Sequence, residues 1–359
     1  MWNREPLSAG MQSAFVFGMS KSLQDKLGQC LITGATGFIG TVVAEMLVER
    51  GAAVRALVRP TSNTARLSAL GVELAIGDIT DPSSLGFAFR NVDTVIHLAV
   101  VRHAIGSGPD AGRVEHRAGN REVILGGMRN VAEAAVTAGA RRMVLSSSAG
   151  VSGDHGYSTI SETTPEHPNR PYRVLRLDAE KTLRQICKET GLAATICRVT
   201  HTYGPGDPTM VRVFRLIARQ SFTLIGSGRQ YNHFSYVDDI ADAIIASAAV
   251  ATQSAPVYLI GSEPLRLWDF LTIIAEETGG KVKRKAWLDP IIRPAAFLYE
   301  RMGQPFKAQL PGVENLDFHV NPRRYDLSKA RADLDLRRGV PVREAVRKTA
   351  NWYRRQGLL

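Results

Sequence analysis

The stretch CLITGATGFIG, Cys30 to Gly40, constrains the fold of this chain more than any other. An apolar run suited to a buried strand leads straight into Gly34, Gly37 and Gly40. TVVAEMLVERG then continues as an amphipathic helix closed by Gly51. Glycines at a strand-to-helix turn let the backbone bend sharply and approach a ligand. The helix start adds free N–H donors and the positive end of its dipole. The GxxGxxG spacing in this context predicts a dinucleotide pyrophosphate site, with Gly34, Thr36, Gly37, Phe38, Ile39 and Gly40 as its contacts. A purely structural glycine turn is the competing reading.

Downstream, short Val/Ile/Leu-rich runs alternate with helical stretches. AVRALVR, VELAIGD, DTVIHLAV and RMVLSSS read as further strands, and EVILGGMRNVAEAAVTAG as a helix before the last of them. Such alternation predicts a parallel sheet covered on both faces, with ligands bound beyond the carboxyl ends of its strands. Residues 1–27 read as a loose N-terminal extension and 28–204 as the sheet domain. Residues 205–359, where Gly, Pro and aromatic residues multiply, read as a smaller lobe partly interwoven with it. The second strand ends in Leu57-Val58-Arg59-Pro60. An acid there would bind a ribose 2′-OH, whereas an arginine accommodates a 2′-phosphate, so Arg59 favours NADP over NAD. Asp78, ending the third strand, is placed either to accept from an adenine amino group or to close a turn.

Composition narrows the classes further. Of 359 residues, 44% are hydrophobic and 22% charged, an ordinary globular balance. The net charge of +11 comes from scattered Lys and Arg rather than blocks, which predicts a solvated basic surface and no nucleic-acid partner. Cys30, Cys187 and Cys197 lack CxxC or Cys/His metal spacing. Reduced, buried thiols, no metal and a cytoplasmic setting follow as expectations. No apolar run approaches the ~18 residues of a spanning helix, so no stable membrane insertion is expected. AWLDPIIRPAAFLYERMG, residues 286–303, reads as an apolar core helix of the lobe.

TGATGFIG, GDITD, VIHLA, VLSSSAGVSG and YGPGD follow one another at telling spacings, before GSGRQYNHFSYVDDIADAI, RYDLSKARADL and NWYRRQGLL. Together they resemble the extended short-chain dehydrogenase/reductases, and within these the NAD(P)-dependent epimerase/dehydratase group. The resemblance runs from residue 29 to the C-terminus. It implies an α/β fold, a Rossmann-type doubly wound parallel sheet with a smaller C-terminal substrate-binding lobe. It also implies hydride chemistry on a small-molecule substrate, a homodimer, and cofactor contacts at Ile79, Leu98, Ala99 and Ser146. In that group a Ser or Thr after the fifth strand hydrogen-bonds the reacting oxygen. A Tyr gives or takes its proton, and a Lys four residues on holds the nicotinamide ribose. Ser148 matches the first position. Tyr172, behind Pro165, Pro168 and Pro171, matches the second.

The third position departs from the pattern, because Arg176 replaces the Lys and Leu175 the small residue before it. Tyr172 and Arg176 still share a helix face at i and i+4. A free tyrosine ionises near pH ~10, so acid–base work near neutrality needs an adjacent cation. Arg supplies that charge permanently, but its planar fork is bulkier than an ammonium. Ile124 stands where the group carries an Asn, with Asn120 about one turn earlier. Asn232 stands where nucleotide-sugar enzymes often place a diphosphate-holding Arg, with Arg229 and His233 beside it; Arg323 and Arg324 are further phosphate candidates. The expectation is hydride transfer at a carbinol/carbonyl carbon of a nucleotide-activated sugar or a related ketone. Ser148, Tyr172 and Arg176 are the catalytic candidates, the last two also touching cofactor, and Ser148, Asn232 and Arg229 the substrate contacts. The alternative is a weakly catalytic or non-catalytic dinucleotide-binding sensor or assembly protein.

Overall fold

The structure, a computed structural model, describes residues 23–100, 120–153, 155, 158–288, 290–291, 294, 322–336 and 339–359. Its aliphatic runs become β1 (Cys30–Thr33), β2 (Val54–Val58), β3 (Glu73–Ile76), β4 (Thr94–His97), β5 (Arg142–Ser148), β6 (Ala193–Val199) and β7 (Val257–Ile260). These seven form one sheet in the order β7-β6-β5-β4-β1-β2-β3. Every neighbouring pair is parallel. The winding reverses between β1 and β4, so a crevice opens beyond their carboxyl ends.

Before β1 lies the short helix α1 (Leu23–Leu27), and the larger helices cover both faces of the sheet. On one face, α2 (Phe38–Glu49) packs Val42, Val43 and Leu47 into a core with Ile240 and Ile244 of a later helix, α5 (Val237–Ala249). On the other, α3 (Gly127–Thr137) and α4 (Pro171–Thr190) bury Met128, Val131, Leu183 and Cys187. Each such side chain removed from water contributes roughly 1.5–3 kcal/mol. Helix α4 starts at Pro171, whose missing N–H would have had no partner in the first turn. It stops at Gly191, at φ +80°.

The small lobe joins the strands His201–Tyr203, Tyr231–Tyr236 and Pro264–Arg266 to helices α6 (Leu267–Thr278) and α7 (Val342–Arg355). Its core holds Tyr203, Phe214, Phe270 and Tyr353, with the Phe234 ring stacked on Phe270 at 3.8 Å. Helix α5 and β7 return from this part of the chain to the large sheet. Pairing of Arg324–Tyr325 with Thr159–Ile160 ties the lobe back to the sheet domain.

Two expectations change. Residues 23–27 are not loose: α1 buries Leu27 completely, and its carbonyls accept from Thr94 Oγ1 and Arg142 Nη1, both at 2.6 Å. The apolar Leu27 and these two donors, Thr94 buried and Arg142 half-buried, draw the end of the extension into the fold; residues 1–22 lie outside the described residues. At the start of the 286–303 segment, Trp287 and Ile291 are 70% and 61% exposed rather than in a core. Most of that segment lies outside the described residues. No described helix is long and apolar enough to cross a membrane.

Candidate active site

The three glycines of the turn have different jobs. Gly34 is held at φ +75°, and a Cβ there would come within 2.7 Å of the Ala99 backbone nitrogen. A Cβ on Gly40 would lie 2.1 Å from the Gly34 carbonyl oxygen. Both are therefore fixed by how closely the turn, the helix and the end of β4 approach. Gly37, at φ −81°, would meet only the Gly34 oxygen, at 3.1 Å, so its outer side opens onto the crevice. No side chain caps α2; the Gly37 N–H donates to the Gly34 carbonyl at 2.9 Å, and the donors of the first turn, Phe38 to Gly40, are left for an anion. Thr41 Oγ1 donates to the carbonyls of Ala35 and Gly37 and holds the turn in shape.

Across the crevice, Leu98 donates its N–H to the Thr33 carbonyl at 3.0 Å, and Ala99 donates to Thr33 Oγ1 at 3.4 Å. Thr33 Oγ1 also bonds His97 Nδ1 at 2.7 Å. His97 is buried, and its Nε2 has no partner among the described residues. Burial, reinforced by the Arg176 charge, pushes its pKa down to about 3, so the ring stays neutral. Arg59 is exposed just past β2, its backbone N–H on Ser62 Oγ. One Asp78 oxygen accepts from the N–H and hydroxyl of Thr80, both at 2.9 Å, which closes a local turn. The Ile79 side chain turns away from the crevice into the core against Gly127. Its carbonyl accepts from Asn130 Nδ2 at 2.8 Å, so Ile79 anchors this loop to α3.

At the end of β5, Ser146 and Ser147 are buried and Ser148 is half-exposed. Ser148 Oγ accepts the Gly150 N–H at 3.2 Å, which leaves its hydroxyl proton to donate elsewhere. On α4, Arg176 Nε donates to Tyr172 Oη at 2.9 Å, its Cζ 5.3 Å from the centre of the phenol ring. The guanidinium is buried and the tyrosine half-buried. Arg176 therefore fills the third position of that pattern by bonding the phenol oxygen directly. The adjacent Arg173 donates to Asn169 Oδ1 at 2.6 Å and lies against Gly150, where a Cβ would come within 2.9 Å of its Nε. Ile124 is a core residue. Asn120, by contrast, lines an open cleft of about 450 Å³ with Tyr172, Leu175, Pro168 and Arg170.

Among the described residues no hydrogen bond or ion pair joins Asn232 or Arg229 to this group. Asn232 is 2% exposed on a lobe strand, opposite Leu265, and its Nδ2 has no partner among the described residues. Arg229 is exposed in the preceding turn. His233 instead bridges structure, its Nδ1 on the Ser262 carbonyl and its Nε2 accepting the Tyr325 N–H. The Arg324 guanidinium stacks on Tyr231, 3.9 Å from the ring centre. All three thiols are buried, with Cys30 and Cys197 pushed up to about 12 and Cys187 to about 11 by desolvation. They are poor nucleophiles. Among the described residues no His/Cys/Asp/Glu group has a metal-holding arrangement.

One buried cluster escaped the sequence reading. Arg198 on β6 pairs with Glu180 of α4, which also takes the Ser147 hydroxyl. The available signal was an arginine inside AATICRV, otherwise an apolar strand.

A family model described as NAD dependent epimerase/dehydratase family matches residues 30–261. The chain is 27% identical over 344 residues to a 3 beta-hydroxysteroid dehydrogenase/Delta 5→4-isomerase of Mycobacterium tuberculosis, covering 92% of each. It is 24% identical over 356 residues to a 3beta-hydroxysteroid-dehydrogenase/decarboxylase of Arabidopsis thaliana, covering 90% of this chain and 79% of the relative. Among solved structures, a UDP-glucose 4-epimerase of Thermotoga maritima superposes with a TM-score of 0.72 at 22% identity, covering 91% of this chain and 99% of that one.

Proposed function

The chain belongs to the NAD-dependent epimerase/dehydratase family, and from that premise we propose that it oxidises or reduces a carbinol/carbonyl carbon of a bulky apolar substrate, with Tyr172 moving the proton. The observation that carries this reading is the Arg176 Nε to Tyr172 Oη hydrogen bond of 2.9 Å on a helix packed behind Ser148. The glycine turn fits a dinucleotide, because Gly37 leaves space at an uncapped helix start. NAD(P) held there would supply the hydride acceptor or donor. Leu98 and Ala99 would border it across the crevice, and exposed Arg59 supports NADP through its 2′-phosphate.

The chain's own groups do the rest. Arg176 occupies a lone pair of the phenol oxygen and directs the tyrosine proton away from itself, toward a substrate oxygen. Ser148, its own acceptor site filled by the Gly150 N–H, donates its proton to the same oxygen. His97 stays neutral and adds no second charge beside Arg176. Positioned proton transfer of this kind is worth roughly 10²–10⁴ in rate.

Two observations support an apolar alcohol over a nucleotide-activated sugar. Relatives named for 3β-hydroxysteroids align with nine-tenths of the chain. Asn232, where a diphosphate would need a guanidinium, is a buried amide. A homodimer and a cytoplasmic setting rest on the family resemblance and the reduced thiols; sedimentation equilibrium tests the first.

Nicotinamide fluorescence during turnover, with 3-hydroxy and 3-keto steroids, small ketones and UDP-sugars, tests the reading. Steroid-dependent hydride exchange that falls at least 100-fold in Tyr172→Phe is the expected result. Turnover of UDP-sugars alone would replace the substrate class. Cofactor binding with no exchange across the panel would leave a dinucleotide-binding sensor.

A further inference from the structure

Arg198 is a guanidinium buried in the sheet, where desolvation is costly. Its side chain and that of Glu180 have no exposed surface. Arg198 Nε lies 3.1 and 3.2 Å from the two Glu180 oxygens, and Nη2 lies 2.8 Å from Oε2. The same Nη2 donates to Glu166 Oε1 at 2.8 Å. Ser147 Oγ donates to Glu180 Oε1 from β5. One arginine thus links β6, β5, α4 and the segment that leads into α4.

Stability does not account for such a cluster. Burying two charges costs about as much as their attraction returns, and apolar replacements of buried pairs are often neutral or stabilising. What the cluster fixes is geometry. Glu180 lies on the Tyr172–Arg176 stripe of α4, at i+8 from the tyrosine, roughly 12 Å down the helix. Ser147 is the residue before Ser148, so the Glu180 carboxylate ties the strand carrying one reacting group to the helix carrying the other. The second arm differs. Glu166 is 34% exposed, in the segment whose Thr159–Ile160 pairs with Arg324–Tyr325 of the lobe. In that segment Glu162 also accepts the Leu259 N–H at 2.9 Å.

We propose that Arg198 is a positioning residue with two separable arms. Through Glu180 and Ser147 it sets the register of Tyr172 against Ser148. Through Glu166 it holds the segment that joins the sheet to the substrate lobe. The proposal rests on the reading of Tyr172 and Ser148 as the reacting pair. The first arm governs kcat and the second KM.

The test pairs kinetics with hydrogen exchange on the full chain. Because Glu180→Gln leaves a buried cation short of its partner and risks unfolding, the main variant is the apolar double substitution Arg198→Met with Glu180→Leu. The expected result is a Tm near wild type and an NADP Kd within threefold. With these come a kcat lower by roughly 100-fold and faster amide exchange confined to the first turns of α4. Arg198→Lys, which keeps the charge but loses the fork, should reproduce the kcat loss. Glu166→Gln should raise KM roughly tenfold with kcat within twofold. Unchanged kcat and unchanged α4 exchange in the double variant would overturn the proposal. So would exchange that rises evenly over α3 and α4 with kcat falling only as Tm does. A wild type without turnover would defeat the functional reading, while the exchange pattern would still decide this one.

Discussion

Gly37 and Gly40 sit in the same turn, yet a methyl group would act differently at each. At Gly40 the added carbon would meet backbone, the Gly34 carbonyl at 2.1 Å, and neither the helix nor the turn can move without loss of packing. At Gly37 it would meet that oxygen at 3.1 Å, with an ordinary negative φ, so a shift of a few tenths of an ångström absorbs it. Gly40→Ala should therefore lower both Tm and cofactor affinity. Gly37→Ala should leave Tm within about 2 °C and weaken dinucleotide binding roughly tenfold if the proposed pyrophosphate site is right, because the methyl would occupy that space. Calorimetry beside a fluorescence titration separates the two; equal affinity in Gly37→Ala would mean that the turn holds no phosphate. The cation at position 176 admits a parallel comparison. Arg176→Met removes the donor to Tyr172 Oη and should lower kcat at least 100-fold, whereas Arg176→Lys retains a charge and should lie within tens-fold of wild type. If Met and Lys behave alike, charge beside the phenol is not what position 176 supplies.

Helix α5 carries a titrating contact with the C-terminal segment. Its first turn presents Asp239, whose two oxygens accept the Val340 N–H at 3.1 and 3.2 Å. Burial raises the Asp239 pKa to about 6, against the lowering effect of that hydrogen bond and with added repulsion from Asp238 and Asp242. A folded-state pKa above the unfolded one contributes stability that is complete below pH 3.8 and lost as pH rises through about 6. Asp239→Asn keeps an acceptor for Val340 and removes the charge. It should match wild type at pH 3.5, below the unfolded value, and melt higher than wild type at pH 7.5, and a lower melt at pH 7.5 would show that the ionised hydrogen bond outweighs burial. Elements also divide what the sequence revealed from what it hid. The first five strands were legible because each is built on a short Val/Ile/Leu-rich run whose length suits a buried parallel strand. Strand β7 was not, since VYLI lies in a Pro/Gly-rich region and its partner β6 is distant in the chain. The start of α3 reads as helix but opens as a π-turn, Glu122–Gly126, which buries Ile124. At the candidate site, the Tyr172–Arg176 contact on one helix face and the place of the glycines between strand and helix were legible through their spacing. Ile79 and the Arg198–Glu180 pair were not, because side-chain direction and cross-sheet pairing exist only once the helices have packed.

Among the described residues the response to acid rests on His97 and His233, in different parts of the fold, with His201 likewise lowered to about 4 by burial and the Arg323 charge. His97 lies in the sheet domain, with a pKa near 3 through burial and the Arg176 charge. His233 lies in the lobe, lowered to about 4 by burial in spite of its bond to the Ser262 carbonyl. Its geometry explains why it resists protonation: with Nδ1 on a carbonyl and Nε2 accepting the Tyr325 N–H, a second proton has no acceptor to meet. Both rings are neutral when folded and free to charge near pH ~6.5 when unfolded. Depressed pKa values contribute stability that is present above pH 6.5 and is lost as pH falls toward 4 and then 3. At pH 5 each histidine has withdrawn about 2 kcal/mol, and Asp239 returns only part of that sum. Against a total stability of roughly 5–15 kcal/mol this is a large fraction. The urea midpoint should therefore fall markedly between pH 7.5 and pH 5, with far-UV ellipticity and tryptophan fluorescence changing together because one histidine anchors each body. A midpoint that is flat or rises over this interval would mean that the carboxylates, not the buried imidazoles, dominate the proton balance of folding.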